Sequence, residues 1–97
     1  MTIDFGPSVK SRMLMVDNGT TVFNVLNSSF SVDYKEFAGM GVMVTAIDSV
    51  AQNTTHYWLY FVDGRIAGVA TDKFILQKDS AVEFKFLKSD IALSYFK

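Results

Sequence analysis

Apolar and polar residues alternate in short runs, cut apart by glycine, proline, asparagine and aspartate, and this predicts a chain built mainly of strands. Thr2-Ile3-Asp4-Phe5 alternates until Gly6-Pro7 ends it, a first strand and turn. Arg12-Met13-Leu14-Met15-Val16 is a second apolar run, closed by Asp17-Asn18-Gly19, and the two segments predict a hairpin with a longer connection. The period then changes. Val22, Val25 and Leu26 fall at i, i+3 and i+4 behind Thr20 and Thr21, which occupy N-cap positions, so a short helix with one apolar stripe is expected. Phe30 to Tyr34 alternates again, Gly39 and Gly41 interrupt, and the β-branched stretch Val42 to Ile47 reads as a strand. After a polar loop from Ala51 to His56 comes the longest apolar run, Tyr57-Trp58-Leu59-Tyr60-Phe61-Val62, ended by the hairpin signal Asp63-Gly64. Arg65-Ile66-Ala67 can return as a short strand, and Thr71 to Phe74 predicts a tight turn or a single helical turn. Val82, Phe84 and Phe86 share one face of a closing strand over residues 81–86.

One helix after two strands, followed by several more strands, predicts an α+β domain: a small mixed sheet with one short helix packed on one face. Residues 57–62 do not alternate, so that strand should be covered on both faces, and one short helix covers only one. The other cover falls to the loop from Gly64 to Gln77, to a neighbouring domain or to a ligand. More aromatic surface is therefore expected near residues 57–62 than the chain itself shields. A single domain over 1–97 is expected, with its core at about 2–87 and a tail at 88–97.

Composition narrows the function classes. With 49% apolar and 14% aromatic residues in 97, the chain is far from a disordered composition. Nine basic residues scattered among ten acidic ones give a net charge of -1, and no basic stripe exists for phosphates, so nucleic acid is not an expected partner. No apolar run approaches the ~20 residues that span a bilayer. The absence of cysteine removes disulfides, thiol catalysis and thiolate metal sites. Three of the four asparagines lie in N-x-[S/T] sequons, at Asn18, Asn27 and Asn53. Either they mark an extracellular or cell-surface setting, with the leader outside this stretch, or each is a turn-forming Asn beside small polar residues.

Candidate chemistry is sparse. Tyr57 and Trp58 offer flat apolar faces with polar edges, suited to a small molecule, a sugar or a protein surface; the competing reading is a core Trp with Tyr at the rim. His56, the one histidine, reads as a solvated loop residue, with no second His or Cys to complete a transition-metal site. Asp33, Glu36, Asp63, Asp72 and Asp79 lack the spacing of a calcium loop, and no serine sits in a nucleophile elbow. No base, nucleophile and orienting group can be assembled, so no catalytic residue, metal ligand or enzymatic activity is expected. Met13, Met15, Met40 and Met43 lie in or beside strands; methionine suits irregular cores and adaptable contact surfaces alike, and here they read as core filler.

The ordered set of segments resembles the transcobalamin-like C-terminal domain family, which includes bacterial and archaeal surface domains of unknown function. The resemblance rests on Thr2-Ile3-Asp4-Phe5-Gly6, Gly19-Thr20-Thr21-Val22 to Leu26, Gly41-Val42 to Asp48, Tyr57-Trp58, Val62-Asp63-Gly64, Gly68-Val69, and Lys78-Asp79 before Val82-Glu83-Phe84. It covers roughly residues 2 to 87. It implies a β-grasp-like fold and a non-catalytic module that closes over cobalamin held mainly by a larger helical domain. It also implies that Tyr57 and Trp58 lie on the strand near the ligand and that Gly68 and Val69 lie in the loop approaching it, where glycine permits close backbone contact; a plain turn glycine is the alternative. The implied ligand is of the cobalamin or corrinoid type. The rival expectation is a structural or adhesive module of a larger surface protein, contacting another domain, a surface protein or a glycan. The chain departs from the family's turn glycines at Ser49 and Ser80 and has Asp63 where Asn is frequent.

Overall fold

The structure is a computed structural model and describes residues 1–13, 19–77 and 80–95. Strands β1 (Thr2–Asp4) and β2 (Val9–Ser11) form an antiparallel hairpin, with Ile3 opposite Lys10. The hairpin is tighter than the sequence suggests: Phe5 N donates to Ser8 O at 2.9 Å, so the return strand precedes the apolar run at 12–16. Met13 is fully exposed, and Leu14 to Asn18 fall outside the described residues. The short, solvent-facing β2 carries almost no hydrophobic signal, which is why the pattern points past it.

Helix α1 (Val22–Ser29) begins where the N-cap signal places it. Thr21 is extended, and its Oγ1 accepts from Asn24 N at 3.2 Å. Val22, Val25 and Leu26 are the buried stripe, each contributing roughly 1.5–3 kcal/mol of burial.

The chain then builds β3 (Val32–Phe37), β4 (Gly41–Ile47) and β5 (Val50–Ala51), an antiparallel sheet of their own. The turn between β4 and β5 holds Asp48 at φ 47° and Ser49 at φ 69°. That left-handed pair matches a two-residue hairpin, and Ser49 stands where glycine would carry no Cβ penalty. Strands β6 (His56–Val62), β7 (Arg65–Ile66) and β8 (Val82–Lys88) join β1 and β2 in a five-stranded mixed sheet of order β2-β1-β8-β6-β7. Among the described residues its one parallel pair, β1 with β8, sits at the centre and sets Ile3 beside Phe84. Asp63 and Gly64 turn β6 into β7 with both φ values positive, and Asp63 Oδ1 accepts from Ala81 N at 2.8 Å.

The fold is therefore α+β and mostly sheet, but with two sheets where the sequence suggested one. The core lies between α1, the face of the larger sheet carrying Ile3, Trp58, Tyr60 and Phe84, and the inner face of β4 at Val44 and Ile47. Residues 89–94, expected as tail, form a second short helix α2 (Ser89–Ser94) against the opposite face of the larger sheet. Ala92 is buried there, and the Tyr95 ring meets Phe61 edge-on at 5.2 Å. This helix supplies the second cover that residues 57–62 demanded. Among the described residues, no helix is long and apolar enough to cross a membrane.

Candidate functional site

The rings at residues 57–62 are not the exposed patch expected from the sequence. Trp58 keeps only 7% of its surface, and Tyr60, Phe61 and Val62 are equally buried, because α1 and β4 close one face and α2 the other. Trp58 Nε1 donates to Val50 O at 2.9 Å, so even its polar edge is satisfied inside. The uncovered apolar surface lies across from it. Met40 is 75% exposed and Met43 46%, with Phe37 and Val69 similarly open, so Met40 and Met43 are not core filler.

These exposed side chains rim a cleft of about 720 Å³. One wall is the β3–β4 hairpin, through Phe37, Met40 and Met43; the other is the segment from Ile66 to Lys73. Trp58, Tyr60 and Phe84 form the floor. The floor is a ring stack: Tyr60 lies on Phe84 at 5.4 Å and 21°, and Trp58 leans on Phe86 at 4.9 Å.

The second wall is fastened at three points. Tyr60 Oη donates to Val69 O, holding the loop against β6. Burial first, and the Asp72 charge second, push that hydroxyl up to about 12. Asp72 Oδ1 accepts from Val42 N at 2.9 Å, and the buried Thr71 Oγ1 donates to Val42 O at 3.3 Å. The loop approaches β4 so closely that a Cβ on Gly41 would lie 2.5 Å from Asp72 Oδ1 and 2.7 Å from Ala70 Cβ. Gly41 also has φ 111°, a conformation open to glycine.

Of the four residues singled out from the sequence, three line this cleft: Trp58 in the floor, Gly68 and Val69 in the wall. Tyr57 does not. It is one step along β6, so the pleat turns it to the other face, opposite Leu87. The sequence pattern does not single out Phe37, and it assigns Met40 and Met43 to the core. A signal for them existed in Gly39-Met40-Gly41, where a large apolar side chain occupies a hairpin turn that should be polar.

His56 is not a solvated loop residue: it opens β6, is half-buried, and stacks on Phe86 at 5.0 Å and 19°. The sequon residue Asn53 is a turn former, its Oδ1 accepting from Thr55 N, Thr55 Oγ1 and His56 N at 2.7–2.9 Å. Asn27 is exposed on the outer side of α1, and Asn18 lies outside the described residues. No group of three or more His, Cys, Asp or Glu among the described residues is arranged to hold a metal ion.

The same fold occurs in the crystal structure of a protein from Ruminococcus gnavus ATCC 29149, described as a candidate metal-binding protein. The TM-score is 0.80 at 18% identity, over 91% of this chain and 93% of that one. Comparison with curated proteins finds no match. The profile of one family covers residues 19–88, from the turn before α1 to the end of β8, so both walls and the floor of the cleft fall within it, and the chain belongs to the family described as Domain of unknown function (DUF4430).

Proposed function

We propose that this chain is a non-catalytic binding module that takes a ligand in the cleft between the β3–β4 hairpin and the Ile66–Lys73 wall. The observation that carries this is the contrast within one site, where exposed Met40, Met43, Phe37 and Val69 stand over a buried aromatic floor whose Trp58 and Tyr60 polar groups are hydrogen-bonded. Water-facing apolar side chains gathered around a concavity gain free energy only when something covers them. Methionine, flexible and polarizable, adapts to the surface it meets.

The larger sheet supports a β-grasp-like reading, with two outer hairpins flanking a central parallel β1–β8 pair and α1 crossing between them. With it goes the transcobalamin-like kinship, in which this single domain over residues 1–97 forms one wall of a site for a flat, corrinoid-type molecule. Trp58, Gly68 and Val69 then face the ligand, and Tyr57 lies outside the contact. Display at the cell surface or outside it accompanies this reading, with the exposed Asn27 as a sequon open to modification. The Ruminococcus gnavus protein's description suggests a metal as ligand, but the described residues here offer no donor cluster, whereas an apolar molecule matches the cleft lining.

A second reading, a structural or adhesive module that docks on another domain or protein, draws on the same exposed methionines. Titration with cobalamin and cobinamide, followed by Trp58 emission, separates the two. Quenching that saturates, and that weakens in Met40→Ser, supports the small-molecule reading. Unchanged emission at high micromolar ligand rules it out for this domain.

A further inference from the structure

A second concavity lies on the far side of Trp58. It has a volume of about 550 Å³, opens to solvent and is lined by the β1–β2 turn (Phe5 to Ser8), Lys10, Asp48, Val50, His56 and Phe86. Phe5 stands edge-on to Trp58 at 5.6 Å, and Phe86 carries the His56 ring, so one side of the pocket is aromatic. The other side is an ion pair: Lys10 Nζ donates to Asp48 Oδ2 at 2.8 Å and sits 5.7 Å from the centre of the Phe5 ring. Asp48 is itself anchored, its Oδ1 accepting from Ser31 N at 3.1 Å.

The orientation of His56 follows from its neighbours. Thr55 Oγ1 gives its hydrogen to Asn53 Oδ1 at 2.7 Å, so toward His56 Nδ1, 3.0 Å away, it can only accept. Nδ1 therefore carries a hydrogen, and in the neutral ring Nε2 is left as an acceptor. Three backbone and side-chain bonds to one Asn53 oxygen hold this arrangement rigid.

The lining thus combines an aromatic wall, a multiple donor (Lys10), a carboxylate acceptor (Asp48) and a fixed imidazole. Its charges cancel, so neither an anion nor a cation is selected. Flat apolar faces beside paired donors and acceptors complement a ring whose faces are C–H and whose edges are hydroxyls. We propose that this pocket is a second binding site, for the neutral pyranose ring of a sugar. The site shares no lining residue with the cleft above and does not depend on that reading.

The test is a proton–carbon spectrum of the Phe5 and Phe86 rings during titration with glucose, galactose, mannose and N-acetylglucosamine, each also as a β-linked disaccharide. At least one sugar is expected to move both rings saturably while the Met40 and Met43 methyls stay still. Lys10→Met and His56→Phe, which keep bulk and stacking, should each weaken binding about fivefold, the loss of one hydrogen bond. Trp58 emission confirms that both variants are folded. Tighter binding of disaccharides assigns the site to a glycan chain, and equal binding assigns it to a free sugar. The proposal is overturned if no sugar moves these rings at ~50 mM, where a site with Kd near 10 mM would be mostly filled. It is equally overturned if tetramethylammonium binds there and sugars do not, or if both variants bind sugar unchanged.

Discussion

The floor and the rim of the cleft are made of similar side chains used in opposite ways. Trp58, Tyr60 and Phe84 are buried in the larger sheet against α1 and β4, Tyr60 stacked on Phe84, with the polar edges of Trp58 and Tyr60 hydrogen-bonded. Phe37, Met40, Met43 and Val69 are as apolar, yet they stand in water on a hairpin and a loop. The floor is where burial stabilises the fold, and the rim is where the fold forgoes that stabilisation. Stability and binding should therefore separate by mutation.

Phe84→Ala should cause the largest effect. It empties the centre of the floor beside Ile3 and Tyr60 and should cost ~3–5 kcal/mol of unfolding free energy, measured by urea denaturation. Gly41→Ala comes next. The new Cβ meets Asp72 Oδ1 and Ala70 Cβ at a backbone angle that disfavours it, so a loss of at least ~1–2 kcal/mol is expected, with the loop displaced from β4. If Gly41→Ala is as stable as the parent, the loop is not fastened as described.

Tyr60 ties the stability of the floor to pH. Its hydroxyl, raised to about 12, remains protonated in the folded chain when an unfolded tyrosine has begun to ionise. The resulting stabilisation is fully present below pH 10 and is lost as pH rises toward 12, and Tyr60→Phe should abolish that part of the alkaline profile. Tyr60→Phe should also cost ~1 kcal/mol at neutral pH by removing the bond to Val69 O. Met40→Ser is the smallest of these in stability, within ~0.5 kcal/mol, because an exposed side chain loses little when shortened. Its effect should appear in binding instead. A large stability loss there would mean that the rim belongs to the core.

Much of this division was legible in the sequence. The N-cap at Thr21, the helix stripe, the Asp63-Gly64 turn and the Val82, Phe84, Phe86 face are local signals, and local signals survive into the structure. The unbroken apolar run at 57–62 also demanded cover on both faces. What supplied the second cover was not legible, because a six-residue helix leaves almost no periodicity to read. The division into two sheets was hidden as well, since strand partners are chosen by long-range packing. The floor residue Trp58 could be nominated from its chemistry, and Gly68 and Val69 from a family likeness. The methionines of the rim could not, because a methionine in or beside a strand has the same pattern whether it faces the core or water. Only the glycines around Met40 distinguished it.

The most direct measurement is the methionine methyl spectrum of the chain with and without cobinamide. The Met40 and Met43 signals should shift together and saturate while the Met13 signal, outside the cleft lining, stays in place. Uniform or absent shifts, with Met40 no more responsive than Met13, would contradict a ligand-binding rim.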